Sequence, residues 1–206
     1  MIWWKSKALG GRFMISVVIP THESERALAH TLAALVAGAL DGILREVIVA
    51  DAGSTDGTAM VADVAGCRFL VLPGERGARL AAAAATARAE WLWFVRPGSI
   101  PGTNWIEELG RFIRECDLAS DNERAAVFRA RPVHDRSARS EVLALLREAL
   151  GARPNPSQGL LIPKPLYRTA GGYKTDAADP ETDLLRRLGR RRIVTLDVAM
   201  TSPMLD

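Results

Sequence analysis

Asp-Ala-Gly-Ser-Thr-Asp-Gly-Thr, residues 51–58, directly follows the apolar run Val-Ile-Val-Ala at residues 47–50. An apolar run that ends in a polar, glycine-containing turn predicts a buried strand, and the residues after the turn predict the start of a helix. A turn of this kind lies at the carboxyl edge of an α/β sheet, where nucleotide sites are built. The same pattern is also typical of a plain strand–turn–helix connection, because Ser54, Thr55 and Asp56 are favourable N-cap residues. Both interpretations stay open at this point.

Three residues of this turn are candidates for ligand contact. Asp51 is expected at the strand end, with its carboxylate free to accept a hydrogen bond from a base or a ribose. Gly53 and Gly57 have no side chain, so the backbone there is able to approach a ligand closely.

Composition predicts one globular domain in a reducing compartment. The chain has 206 residues, of which 48% are hydrophobic and 25% are charged, as in an ordinary soluble protein. The longest apolar stretch, residues 80–95, carries Arg88 and Glu90, so no membrane span is expected. The N-terminus lacks the apolar core of a secretory signal. The two cysteines have no metal-ligand spacing, and together these features favour a cytoplasmic protein without a zinc site.

A net charge of +3 and a pI near 9.2 indicate attraction to anions. Five arginines between residues 186 and 192 supply part of this charge. They are not interleaved with aromatic residues, so nucleic-acid binding is not predicted, and a solvated helix end is the favoured explanation. Peripheral contact with the inner membrane stays open.

Strands and helices are predicted to alternate after an N-terminal tail of residues 1–13, and the true start is either Met1 or Met14. This alternation predicts an α/β protein with a mainly parallel sheet that is flanked by helices on both faces. The predicted strands are 15–19, 45–50, 68–72, 91–95, 126–131, 159–162 and 193–198; the predicted helices are 25–37, 57–65, 78–88, 105–115, 138–150 and 181–188.

Two segments together resemble a known family. Strand 15–19 ends in Pro20-Thr21-His22-Glu23, and the Asp51 turn ends the next strand, about 30 residues later in a βαβ order. Paired in this way, they resemble the family-2 glycosyltransferases of the GT-A fold, and specifically the small, single-domain bacterial members. The resemblance extends over nearly all of the chain from residue 14, with a nucleotide-binding half at 14–100 and an acceptor and catalytic half at 101–206.

The resemblance implies transfer of a sugar from a nucleotide-diphosphate donor, a UDP-sugar by default, to an unknown acceptor with inversion. It implies a donor site in which Asp51 and Gly53 contact the nucleotide and Pro20, Thr21 and Glu23 form the opposite wall. The donor sugar, the acceptor and the oligomeric state stay open.

The chain departs from the family at its metal-binding motif. Family members carry a short acidic motif after the strand that corresponds to 91–95, and its aspartate holds Mg or Mn on the diphosphate. Here the strand runs into Arg96-Pro97-Gly98-Ser99, so a metal is doubtful. One hypothesis is that Arg96, with Arg76 and Arg79, replaces the ion, because arginine grips phosphate oxygens. The rival hypothesis is a catalytically inactive protein that binds a nucleotide sugar or a partner protein as a regulator or scaffold.

The resemblance also places a general base just before the last predicted helix. The sequence there reads Pro180-Glu181, so Glu181 is the first candidate, and Asp183 and Asp179 are neighbours that could substitute. The alternative is that Glu181 and Asp183 only favour a helix N-terminus electrostatically. Ser157-Gln158-Gly159 stands where the family often has Asp-Gln-Gly. Gln158 is expected to hydrogen-bond a sugar or an acceptor.

Overall fold

The computed structural model describes residues 14–132 and 154–202. These residues form one eight-stranded sheet in the order β3-β2-β1-β4-β7-β6-β8-β5. Its strands are β1 (Ile15–Thr21), β2 (Leu44–Asp51), β3 (Arg68–Val71), β4 (Trp91–Phe94), β5 (Ile100–Pro101), β6 (Ala125–Pro132), β7 (Leu160–Pro163) and β8 (Ile193–Ser202). The block β3-β2-β1-β4 is parallel throughout, as is the β6–β8 pair. The predicted mixed α/β architecture is therefore confirmed.

Helices cover both faces of this sheet. They are α1 (Glu25–Asp41), α2 (Thr58–Val64), α3 (Arg76–Thr86), α4 (Trp105–Leu118), α5 (Lys164–Thr169) and α6 (Pro180–Leu188), with short 3₁₀ turns at Pro156–Gln158 and Arg190–Arg192. Buried residues of α1, α2 and α4 pack on one face, and those of α3, α5 and α6 pack on the other. The predicted helix 138–150 lies outside the described residues. Of the helices in the described part of the chain, none has the length and apolarity to cross a membrane.

Strand β4 is held from both sides because successive side chains of a strand point to opposite faces. Trp93 is fully buried on the α1/α4 face, where its ring centroid lies 5.2 Å from that of Trp105 and 5.3 Å from that of Phe128. Phe94 lies on the other face, 4.7 Å from the ring of Tyr173 and nearly perpendicular to it. This packing fixes the position of the residues that follow β4.

The strand next to β4 brings a distant part of the chain to the same edge. Strand β7 runs antiparallel to β4, with Phe94 opposite Leu160. The start of β7 therefore lies beside the end of β4. An ideal Cβ atom built on Gly159 would lie 3.4 Å from the Phe94 carbonyl oxygen. The candidate site is built at this edge.

Candidate functional site

The turns after β1 and β2 are tied to each other by cross-chain hydrogen bonds. The Thr21 hydroxyl donates to Asp51 Oδ1 at 2.7 Å, and the Glu23 backbone N–H donates to the Ser54 hydroxyl at 2.8 Å. In return, Glu23 Oε1 accepts from the Thr55 backbone N–H at 2.6 Å. Glu23 has a φ of 46°, a left-handed conformation that is uncommon outside glycine. The two segments that carry the family resemblance thus form one structural unit.

Asp51 is the centre of this unit. Its Oδ1 accepts from the hydroxyls of Thr21 and Ser54, and its Oδ2 accepts from the backbone N–H groups of Gly53 and Ser54 at 2.8 and 2.6 Å. Burial opposes ionisation, but the hydrogen bonds from Ser54, Thr21 and Gly53 outweigh it and hold the pKa of Asp51 below its ordinary value.

The four bonds fill the acceptor sites of a carboxylate, and the residue is fully buried. The structure therefore differs from the expectation that this carboxylate is free for a base or ribose: the turn itself consumes it. Gly53 supplies the left-handed φ of 97° that the turn requires, and it is exposed.

The capping interpretation of the turn is met only in part, because the N-cap of α2 is Gly57, which makes no side-chain cap hydrogen bond. Helix α2 begins after Gly57, and the Asp56 carboxylate accepts from the Thr58 backbone N–H at 3.0 Å. The other Asp56 oxygen accepts from the Glu25 backbone N–H at 3.0 Å. The first turns of α1 and α2 are therefore fixed relative to each other. Capping and site shaping are compatible functions of the same eight residues.

A cleft opens beside this unit, at the carboxyl ends of β1 and β4. Its wall is apolar on most sides and charged at one point. The lining residues are Pro20, Leu80, Phe94, Val95, Arg96, Asn155, Pro156, Gly159, Leu160, Tyr173, Glu181 and Leu185. Mostly apolar concavities with a few convergent polar groups are typical of ligand sites.

The charged point is an ion-pair cluster that joins three separate segments. Arg96 Nε lies 3.2 Å from Glu181 Oε1, and Arg76 Nη1 lies 3.5 Å from the same oxygen. The side chain of Glu181 is only 10% exposed and that of Arg96 15%, whereas that of Arg76 is 45% exposed. The second oxygen, Oε2, is buried and has no hydrogen-bond partner among the described residues. Arg96 therefore lies in the cleft rather than in open solvent.

Arg79 lies one turn further along α3. Its Nη1 donates to the Gly74 carbonyl at 2.6 Å, and its buried Nε has no partner within the part of the chain that the structure describes. Burial, together with the charge of Arg76, lowers the pKa of Arg79, and the charge of Asp51 opposes this shift. Arg79 thus adds a second cation to the first turn of α3.

Gly77 explains how α3 comes close enough for these contacts. A Cβ at Gly77 would lie 2.0 Å from the carbonyl oxygen of Lys174. Only glycine permits this approach of the helix to the segment that precedes α6. The close contact brings Arg76 within reach of Glu181.

Asp183 is not brought into the cleft. It pairs with Arg186 at 2.9 Å and with Arg187 at 2.8 Å, and the hydrogen bond from Arg186 is the main cause of its lowered pKa. Arg187 in turn donates to the carbonyls of Ala170 and Gly172. Through Arg187, Asp183 therefore connects α6 to the turn at residues 170–172. Asp183 also lines a separate shallow groove.

Gln158 is buried and its amide is used inside the protein. Its Nε2 donates to the Phe128 carbonyl at 2.6 Å, and its Oε1 accepts from the Asn155 backbone N–H at 2.7 Å. These bonds hold loop 155–159 against β6. In this arrangement, Asn155 and Pro156 face the cleft instead.

Sequence reasoning missed several of the lining residues. Asn155, Pro156, Leu185 and Tyr173 line the cleft but carry no spacing signal in the sequence. Burial, reinforced by the charge of Glu181, raises the pKa of Tyr173 well above its ordinary value, so this residue is a neutral wall of the cleft.

The side chains at the end of β4 do not fit a divalent cation. Among residues 14–132 and 154–202, no group of three His, Cys, Asp or Glu side chains could hold a metal ion. Glu181 is shared by two guanidiniums. Burial opposes ionisation of nearby Asp179, but bonds from Thr182 and the charges of Arg96 and Arg76 outweigh it and lower its pKa. The guanidiniums of Arg76 and Arg96 thus place positive charge where a divalent metal ion would have to bind.

Comparison with known families agrees with this fold. The model of the family described as "Glycosyl transferase family 2" matches residues 16–140. The chain belongs to this family. A search of curated proteins finds no match.

Several solved structures share the fold of this glycosyl transferase. Glucosyl-3-phosphoglycerate synthase from Mycobacterium tuberculosis, in complex with Mn²⁺ and UDP-glucose, is 23% identical with a TM-score of 0.63, covering 93% of this chain and 70% of that one. S. aureus TarS is 16% identical with a TM-score of 0.67, covering 93% of this chain and 37% of that one. These likenesses confirm the GT-A fold.

Proposed function

We propose that this family-2 glycosyl transferase binds a nucleoside diphosphate-sugar, a UDP-sugar by default, and transfers the sugar to a hydroxyl of an unidentified acceptor with inversion. The cleft at the carboxyl ends of β1 and β4 supports this proposal, because ligands of open α/β sheets bind at that edge. A structural neighbour of the same fold was solved with Mn²⁺ and UDP-glucose.

The observation that carries the proposal is the convergence of Arg76 and Arg96 on Glu181, which lines the cleft together with Arg96. A departing nucleoside diphosphate develops negative charge, which family members of the usual kind neutralise with a divalent ion. Guanidinium groups bind phosphate oxygens through paired, charge-assisted hydrogen bonds. Arg96 and Arg76, with Arg79 behind them, supply this charge in our proposal, and the reaction proceeds without a divalent metal.

Glu181 is the proposed proton acceptor. The acceptor's hydroxyl oxygen forms a bond to the anomeric carbon as the bond from that carbon to the phosphate oxygen breaks. The electron pair of the broken bond leaves with the nucleoside diphosphate, and the hydroxyl proton passes to the Glu181 carboxylate. Glu181 lines the cleft and its buried Oε2 has no partner among the described side chains and backbone groups, so a lone pair is available for that proton.

The remaining predicted residues act in the proposal by shaping the site. Asp51 and Thr21 hold the turn, and Pro20 lines the cleft. The exposed Gly53 and Glu23 leave the nucleotide side of the turn open to a ligand. Gln158 fixes the loop that presents Asn155, so its effect on a sugar is indirect.

A second candidate function is binding without transfer. The pairing of Glu181 with both Arg76 and Arg96 favours it, because the same contacts that place the arginines in the cleft also occupy the base. Under this alternative the protein is a regulator or scaffold that holds a nucleotide sugar or a partner protein.

Calorimetric titration of the full chain with UDP-sugars, once with EDTA and once with Mn²⁺, tests the proposal. We expect equal affinity in both buffers and release of UDP in a hydrolysis assay that Glu181→Gln abolishes. Glu108→Gln, which removes a carboxylate from α4 on the opposite face, is the matched control. Binding without turnover of any donor would favour the second candidate, and absence of binding would reject the donor site altogether.

The proposal places the protein in the cytoplasm. Cys67 and Cys116 are free, as expected in a reducing compartment. The arginines at 190–192 are exposed and leave room for peripheral contact with an anionic membrane, which a lipid acceptor would require. Co-sedimentation with anionic and neutral vesicles would distinguish the two cases.

A further inference from the structure

Arg96 and Arg76 both contact the same carboxylate oxygen, Glu181 Oε1, so their positions are explained without a bound ligand. We propose that Glu181 is an internal anion that occupies the diphosphate site of the free protein, and that the donor binds by displacing it from Arg96 and Arg76. This inference rests on the proposed function and adds a property to it: the binding of the donor releases the base.

The local electrostatics require an anion at this point. The first turn of α3 reads Arg76-Gly77-Ala78-Arg79, so two cations stand at the positive end of an eleven-residue helix. Cations at a helix N-terminus are unfavourable and anions there are favourable. Glu181 brings a negative charge to this point from α6, a different helix, in addition to the charge of Glu75 at the N-cap of α3.

The hydrogen-bonding capacity of Glu181, Arg76 and Arg96 is only partly used in this ion-pair cluster. Both arginines reach only Oε1, at 3.2 and 3.5 Å, while Oε2 is buried without a hydrogen-bond partner in residues 14–132 and 154–202. The buried Nε of Arg79 likewise has no partner there. Buried polar groups without partners are costly. A diphosphate has enough oxygens to bind all three guanidiniums in the paired geometry that they favour, so it competes well against a single carboxylate oxygen.

Displacement has a consequence for the order of events. While Arg96 and Arg76 hold Glu181, its Oε1 is engaged in ion pairs. When the guanidiniums turn to the phosphates, this carboxylate is freed inside the cleft at the moment when a donor is present. Both carboxylate oxygens, and not only the unpartnered Oε2, are therefore free to accept the proton of an acceptor hydroxyl once the diphosphate has bound.

The test is the affinity of the full chain for two probes, UDP and inorganic pyrophosphate, measured by calorimetry in EDTA. Removal of the competing charge in Glu181→Gln should tighten the binding of both probes by about tenfold or more, which corresponds to about 1.4 kcal/mol. A residue that acts only as a base would leave these affinities unchanged. Glu108→Gln removes one negative charge on the opposite face of the sheet and should leave them at the wild-type value.

Glu181→Asp provides a second variant if the glutamine variant is poorly folded in a thermal scan. It keeps the charge but withdraws it by one methylene, and it should bind both probes more tightly than wild type. Unchanged or weaker binding of pyrophosphate in folded variants would overturn the inference.

The two probes separate this inference from the proposed function. If the variants bind pyrophosphate more tightly than wild type does, but UDP binds no more tightly than pyrophosphate, the displaced anion is supported and the nucleotide donor is rejected. UDP binding that does not change when Glu181 is substituted would support the nucleotide donor and reject the displaced anion. No binding of either probe to any folded variant would reject both.

Discussion

Arg96 Nε lies 3.2 Å from Glu181 Oε1, although 85 residues separate the two in the chain. Arg96 follows the central strand β4, and Glu181 lies in the first turn of α6. Both side chains are nearly buried and both line the cleft. The pair thus brings a cation and an anion together directly after the central strand.

Arg96→Gln should weaken UDP binding by about tenfold or more, because the variant loses the most buried of the cationic partners proposed for the diphosphate. Calorimetry in EDTA measures this effect. Arg111→Gln on α4, where an exposed arginine pairs with Glu108 and Glu115, is the matched control and should bind as wild type does. Equal affinities of the two variants would remove Arg96 from the proposed site.

Gly77→Ala should destabilise the protein by about 1–3 kcal/mol, because the added methyl would lie 2.0 Å from the Lys174 carbonyl oxygen. In an unobstructed helix the same change would be stabilising, so the sign of the effect reports the contact. Urea unfolding measures it, with Ala82→Ser on the exposed side of α3 as the control. UDP affinity should fall as well, since α3 carries Arg76 and Arg79. A stabilised variant would contradict the observed packing.

Asp51→Ala should cost about 3 kcal/mol of the free energy of unfolding, because it leaves the N–H groups of Gly53 and Ser54 and two hydroxyls without their acceptor. Denaturant unfolding at neutral pH checks this value. Asp197→Asn, at a side chain that is 75% exposed, should change it by less than about 0.5 kcal/mol. If the two variants were equally stable, the turn would not depend on the carboxylate.

Glu46 provides a test of pH dependence at the opposite edge of the sheet. Its buried carboxylate accepts from Ser16, from Arg68 at 2.7 Å and from the Arg88 backbone N–H. Burial opposes ionisation, but these bonds outweigh it and lower the pKa of Glu46.

A lowered folded-state pKa means that the stabilisation is fully present above the unfolded-state pKa, near 4.3, and is lost as the pH falls through the folded-state value. Glu46→Gln should therefore cost about 2–4 kcal/mol at pH 7, and the difference from wild type should shrink below about pH 4. Unfolding curves between pH 3 and 7 measure the difference. A constant difference across this range would show that the ionised form is not what stabilises the fold.

The strands and helices of the first half were predictable because their signals are local. Apolar runs such as residues 47–50 and the turn at 51–58 specify strand, turn and helix within a few residues. Strand β7 was also predicted as an element, but its insertion beside β4 was not, since strand order depends on packing between distant segments.

The site was predictable only in part. Arg76, Arg96 and Glu181 were singled out from the sequence and meet at the cleft. Asp183 and Gln158 were singled out by the same reasoning, yet their polar atoms are used by Arg187 and by the Phe128 carbonyl. Which partner a side chain finds is decided by groups that are far away in sequence, and no local pattern encodes them.

The sequence by itself determined the family and the α/β alternation. The tertiary structure alone decided that Asp51 is consumed by its own turn and that Arg96 faces Glu181. The physical reason is that periodicity and turn chemistry act over a few residues, whereas the balance of charges in a cleft depends on segments that only folding brings together.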